Sequence, residues 1–264
     1  MKAIDYSRFS TGNQPVPVAT FQKIRSLFAG NDMLLNIPGA WHGGIGYDGA
    51  RQSIVNGRNA GFVHAATYTA INTLPGRIAV EKAQAHVGNE WDNLAFIGID
   101  VELNTTPAII ADACATAQQM GVRPVVYTAH WAWHQFMQNR QDSFGCALWN
   151  AFYDNNPDFD FANYPFGTWT LADVAGEQYT NTTHVDGLGF DFNQFRDDFI
   201  VVPPPPPIPA PHPLALLVEA WKTDMADIAV NAASLIHTPL DTTRLALHSI
   251  FTSRRTSAWK ALIP

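Results

Sequence analysis

Cysteine is nearly missing from these 264 residues: Cys114 and Cys146 are the only two, too few for a disulfide framework or a cysteine-rich zinc site. Charge is sparse as well. Charged residues make up 15% of the chain, against an ordinary share of ~25%. Basic residues are the scarcer sign, 16 against 23 acidic, giving a net charge of −7; this argues against a general nucleic-acid binder. No stretch reaches ~18 uninterrupted apolar residues, so no transmembrane segment is expected. The opening Met1-Lys2-Ala3-Ile4-Asp5 lacks the apolar core of a Sec-type signal peptide, and synthesis in the cytoplasm without that signal is the expectation. Gly43-Gly44-Ile45-Gly46 lacks the lysine of a phosphate loop, and the close pair His130 and His134 lacks an HExxH glutamate. No cofactor or metal is implied.

What is abundant is apolar and aromatic. Apolar residues reach 47%, with 8 Trp, 7 Tyr and 16 Phe, enough to bury a large core and still line a sugar-stacking cleft. Eight of the 18 prolines fall within residues 203–213, which reads as a polyproline linker between a first domain, 1–202, and a tail, 214–264. The tail repeats apolar residues at helical spacing, from Leu214 and Leu217 through Trp221 to Leu235. Such a broad stripe needs a partner, so the tail is expected to dock on itself or on a larger assembly.

Within 1–202, short apolar runs alternate with helix-like segments. Strands are expected at 2–6, 33–37, 62–68, 95–103, 124–128, 147–153, 169–179 and 187–193. Helices fill the first five gaps: 18–28, 49–60, 76–87, one capped by Thr106 with Pro107 at its first position and stopped by Gly121, and 131–141. The last strands are separated by stretches too short for crossover helices. The fold class is therefore α/β: a modified β/α barrel of five βα units followed by three β-strands, with reactive groups at the C-terminal strand ends.

The most informative segment is Phe96-Ile97-Gly98-Ile99-Asp100-Val101-Glu102. Burying it would bury two carboxylates, which is costly without partners. Strand alternation points Asp100 and Glu102 one way, Ile99 and Val101 toward the outer helices. Two neighbouring carboxyls in a partly dry pocket raise one another's pKa, leaving one to act as an acid. Glycoside hydrolysis needs such an acid beside an anionic group; an ion-paired or metal-binding strand end would show the same letters. Asp5, near the end of the first strand, and Asp191, near the end of the last, would flank the same mouth in a closed barrel. Asp5 could instead cap a turn through Ser7 or Ser10, and Asp191 could hold loop amides.

The order Ile4-Asp5-Tyr6-Ser7, Gly98-Ile99-Asp100-Val101-Glu102, Val126-Tyr127-Thr128, Leu148-Trp149-Asn150-Ala151-Phe152-Tyr153, Glu177-Gln178-Tyr179 and Phe190-Asp191-Phe192-Asn193 resembles glycoside hydrolase family 25, the lysozymes. The resemblance spans nearly all of residues 1–200. It implies a modified β/α barrel that cleaves the β-1,4 bond between N-acetylmuramic acid and N-acetylglucosamine in peptidoglycan. Glu102 matches the general acid, Asp100 its charged partner toward the substrate acetamide, and Asp5 and Asp191 the flanking acids. Tyr68, Tyr127, Trp149, Tyr153 and Gln178 fall at groove positions that would hold the glycan strand. Two places depart from the family. The second strand, Leu35-Asn36-Ile37-Pro38-Gly39, lacks the usual basic residue, and Tyr68 is followed by Thr69 where histidine is common. The Trp41–Tyr47 insertion is expected as a groove wall or a loop.

A lysozyme-like barrel without a Sec-type signal, joined to an apolar tail, looks like a bacteriophage product acting at the bacterial cell wall, as an endolysin or a virion tail component. Two other readings stand beside it. One is a structural or receptor-binding phage tail protein on the same barrel. The other is a chitinase-like glycosidase, against which Gly98 occupies the place of that family's middle acid.

Overall fold

The computed structural model describes residues 1–28, 34–40, 46–72, 74–159, 161–162 and 165–201. The linker 203–213 and the tail 214–264 lie outside the described residues, as do 41–45 of the insertion. The elements in chain order are β1 (Lys2–Ser7), α1 (Val18–Ser26), β2 (Leu34–Ala40), α2 (Ala50–Asn59), β3 (His64–Ala65), β4 (Thr67–Ala70), α3 (Gly76–Val87), β5 (Ile97–Asp100), α4 (Pro107–Gln119), β6 (Pro124–Thr128), α5 (His130–Met137), β7 (Ala147–Ala151), β8 (Val174–Gln178), β9 (Thr183–Val185), β10 (Leu188–Phe195) and α6 (Asp197–Val201).

Parallel pairing runs from β1 through β2, β4, β5, β6 and β7 to β8. The strand β10 then inserts antiparallel between β8 and β1 and closes the ring. Eight strands form the barrel, five βα units and three strands as the sequence pattern requires. None of the helices among the described residues is long and apolar enough to cross a membrane.

Alternation along each strand divides the core in two. Ile97, Ile99, Val101, Val126, Leu148 and Val174 face outward and pack on α3 and α4, together with Ile110, Ala113 and the buried Cys114. The inward set, including Ala3, Leu35, Ile37, Phe96, Val125, Trp149 and Phe195, fills the barrel interior. Toward the C-terminal strand ends this inward set turns polar, with Asp5, Asp100, Gln178 and Asn193 all buried.

Several boundaries differ from the sequence pattern for local reasons. The expected strand 169–179 begins only at Val174, because Leu171–Asp173 form a 3-10 turn closed by a Thr170–Asp173 capping box. The helix expected to reach 141 stops at Met137, where Gln138 and Asn139 take left-handed φ of 52° and 51°. The helix α4 starts as read, with the Thr106 hydroxyl accepting from the Ile109 N–H and Pro107 in the first turn. An unanticipated hairpin, β9 to β10, turns on Asp186 and Gly187 at φ 53° and 80°; two positive φ values are the signature of the tight turns that join antiparallel strands.

Candidate active site

All nine sequence-derived candidates line one pocket of about 300 Å³ at the C-terminal end of the parallel strands. Glu102, Asp100, Asp5 and Asp191 are there with Tyr68, Tyr127, Trp149, Tyr153 and Gln178. Strand geometry explains the convergence. Asp5 and Asp191 are direct cross-strand partners where β10 meets β1. Asp100 pairs with Tyr127, and Tyr127 with Trp149, on successive parallel strands.

Ser7, Phe9, Ser10 and Thr182 complete the lining and escaped sequence reasoning. Ser7 carried a signal, since it lies two residues beyond Asp5 on the same face of β1. Phe9 is 54% exposed at the rim, and nothing in its immediate sequence marks it. Thr182 enters through the β9 hairpin and donates its backbone N–H to Asp191. Asp191 thus holds a loop amide and faces the pocket at once. Asp5 caps no turn: its partners are Gln178 and Asn193, while Ser7 holds the Phe9 and Ser10 amides.

The four acids share one electrostatic problem. Burial, then the negative charges of Glu102 and Asp5, pushes Asp100 well above the ordinary carboxylate range. Its Oδ1 is buried without a hydrogen-bond partner among the described residues, an acceptor facing a site where a donor would be welcome. Glu102, just beyond β5 and less deeply buried, is raised to about 7, first by desolvation and then by Asp191. Asp191 rises to about 6 by burial, against the pull of Thr182. Asp5 is also raised well above its usual value by burial and by Asp191, with the amides of Asn193 and Gln178 opposing.

The aromatic wall is held by hydrogen bonds as well as packing. The Tyr127 hydroxyl donates to Gln178 Oε1 at 2.6 Å and lies 3.3 Å from the Tyr153 hydroxyl. Tyr127 and Trp149 rings meet at 4.6 Å between centroids. The Tyr68 ring occupies the space above Gly39, where an added Cβ would come within 1.9 Å of it. That ring accounts for glycine at the end of β2. Asn36 on the same strand serves packing, accepting from the Tyr6 hydroxyl at 2.8 Å and donating to the Ser53 carbonyl at 2.9 Å.

Of the insertion only Gly46 and Tyr47 are among the described residues, and neither lines the pocket. Tyr47 is fully buried and donates to the Gln14 carbonyl at 2.8 Å, so it belongs to the core beneath α2. His130 and His134 stack on α5 with ring centroids 4.3 Å apart, away from the pocket lining. Among the described residues, no group of three or more His, Cys, Asp or Glu is arranged to hold a metal ion.

Comparison with known proteins agrees with this architecture. The muramidase from Acremonium alcalophilum superposes with a TM-score of 0.54 at 21% identity, covering 75% of this chain and 94% of that one. A family GH25 lysozyme from Aspergillus fumigatus gives 0.54 at 16% identity over 74% and 93%. The barrel therefore has the fold of these muramidase and lysozyme structures. No family model matches the sequence, but relatives in Dictyostelium discoideum do. Counting factor 45-1 is 30% identical over 184 residues, 64% of this chain and 60% of that protein. The probable GH family 25 lysozyme 3 is 29% identical over 178 residues, 59% and 34% respectively. The chain therefore spans between a third and three fifths of the length of these two relatives.

Within this barrel, packing around Gly98 leaves little room for the middle acid of a chitinase-like motif. A Cβ there would lie 2.9 Å from the Tyr68 Cβ and 3.1 Å from the Trp149 ring. No acid can occupy that position while both aromatics keep their places.

Proposed function

We propose that the chain is a peptidoglycan muramidase, hydrolysing the β-1,4 bond between N-acetylmuramic acid and N-acetylglucosamine, with Glu102 as general acid. The carrying observation is the Asp100–Glu102 pair. It stands at the C-terminal end of β5, in an aromatic-walled pocket where Glu102 holds its proton up to about pH 7. The likeness in fold to a muramidase and a lysozyme, and the probable Dictyostelium lysozymes among the sequence relatives, support the same reading.

In this reading Glu102 delivers its proton to the glycosidic oxygen as the bond to the anomeric carbon breaks. The buried Oδ1 of Asp100 accepts the acetamide N–H and turns the acetamide oxygen toward the anomeric carbon, to which it bonds as the leaving sugar departs. Water then opens that ring, returning a proton to Glu102 and leaving the configuration retained. Asp5 and Asp191 add negative charge beside the developing positive centre. The reaction setting is the bacterial cell wall, and a phage origin, as endolysin or virion component, remains part of the proposal on the strength of the apolar tail sequence.

Clearing of purified peptidoglycan by wild type and Glu102→Gln tests the assignment. The expected loss is about 10²- to 10⁴-fold, the worth of a positioned general acid. Clearing that survives the substitution removes Glu102 from the role. A folded wild type that clears nothing favours a binding or structural tail protein. Proton NMR of the first product should show the β-anomer; an initial α-anomer overturns the retaining route.

A further inference from the structure

Asn193 is absent from the pocket lining, yet it is fully buried and joined to two residues that are in it. It lies two residues beyond Asp191 on the inward face of β10, directly opposite Gln178 on β8. Both amides converge on one oxygen: Asn193 Nδ2 donates to Asp5 Oδ2 at 2.7 Å, and Gln178 Nε2 donates to the same atom at 2.9 Å.

The direction of these bonds is fixed from outside. An indole N–H can only donate, and Trp149 Nε1 donates to Asn193 Oδ1 at 2.8 Å. The amide oxygen of Asn193 is therefore committed to Trp149, leaving its NH₂ to face Asp5. On the other side the Tyr127 hydroxyl donates to Gln178 Oε1 at 2.6 Å, which matches the orientation of the second amide, although only the indole, a pure donor, fixes a direction. Asp5 Oδ2 thus receives two N–H groups, so a proton taken up by Asp5 sits on Oδ1.

We propose that Asn193 is a positioning residue for Asp5, one arm of a hydrogen-bond clamp whose polarity is set by Trp149. The clamp matters because of what else surrounds Asp5. Asp191 faces it from β10, and Asp100 and Glu102 from β5 and the loop beyond. The phenols of Tyr68 on β4, Tyr127 on β6 and Tyr153 beyond β7 also surround it, with Tyr6 adjoining on β1; burial and these acids raise them, so they stay neutral. No group in that set offers a positive charge. Two amide donors are what favours the Asp5 carboxylate against burial and its acidic neighbours. Asn193 thereby governs how much negative charge the pocket holds at a given pH.

The functional consequence rests on the muramidase reading, but the test does not. In the full chain, the Asp5 carboxyl is followed by ¹³C NMR titration in wild type, Asn193→Leu and Trp149→Phe, with folding checked by circular dichroism. Asn193→Leu removes the donor, and Trp149→Phe removes the N–H that aims it. Each should raise the Asp5 midpoint by about half a pH unit or more, and the acid limb of the peptidoglycan-clearing profile should move the same way. An unmoved Asp5 midpoint in folded Asn193→Leu overturns the proposal. If that variant does not fold, an unmoved midpoint in Trp149→Phe overturns it instead. Wild type that shows the titration behaviour but clears no peptidoglycan refutes the muramidase reading and leaves the clamp standing.

Discussion

Asp5 on the first strand and Asp191 on the last face each other across the antiparallel pair that closes the barrel. Ring closure alone makes them neighbours, and through this contact the two ends of the barrel sequence set the titration of the centre. The negative charge of Asp191 is the second cause, after burial, of the raised Glu102 pKa. Asp191→Asn should therefore let Glu102 ionise at lower pH. The alkaline limb of the clearing profile, expected near 7 in wild type, should shift acidward by roughly half a unit to one unit. A limb that stays in place in the variant detaches Asp191 from Glu102.

The same raised values make stability depend on pH. Glu102 and Asp191 rise to about 7 and about 6 from ordinary values of 4.5 and 3.8. The folded chain holds protons that the unfolded chain releases. Their contribution is fully present below the unfolded values and is lost as pH climbs through the folded ones. Glu102→Gln should gain on wild type in thermal unfolding as pH goes from 5 to 8. The gain should reach on the order of 2 kcal/mol once partial exposure is allowed for, or roughly 4–8 °C in Tm. A pH-independent difference between the two proteins contradicts this.

Gly98 offers a packing test. Gly98→Ala brings a methyl group against Tyr68 and Trp149 at 2.9 to 3.3 Å. Overpacking of this kind costs typically about 1–3 kcal/mol, and Gly98→Asp, which also buries a further acid, should cost more. Chemical denaturation measures both. An unaltered unfolding midpoint in Gly98→Ala would mean that the aromatic pair can move aside.

Charge should also sort substrates. Among the described residues the pocket is lined by four carboxyls and no Lys, Arg or His. Glycan stripped of its peptide stems exposes free lactyl carboxylates, which such a pocket repels. Intact peptidoglycan, with those groups tied up as amides, should be cleaved several-fold faster, and added salt should narrow the gap by screening. Equal rates at low salt would show that the lactyl group never approaches the acids.

The fold was legible because its signals are periodic. Eight apolar runs, five helical gaps, and the Thr106 to Gly121 punctuation of α4 needed only local chemistry. The pocket acids were legible because Asp100 and Glu102 are conspicuous at the end of an apolar run. Asn193 was read as a letter in a motif and no more, since its work depends on Trp149 and Asp5, partners 44 and 188 residues away. The β9 hairpin had a local signal, Asp186-Gly187 between apolar residues, and its three-residue strand is short enough to pass for loop. In the sequence the second strand reads only as lacking a basic residue; the steric reason for glycine at 39 lies in the Tyr68 ring above it, on another strand.

The reversed direction of β10 also decides where the chain departs. Its first half presents Asp191 at the pocket, and its second half descends past Asn193 to Phe195, beside Met1 at the opposite end of the barrel, where α6 begins. The four acids and the start of α6 are thus held at opposite ends of one barrel by a single strand.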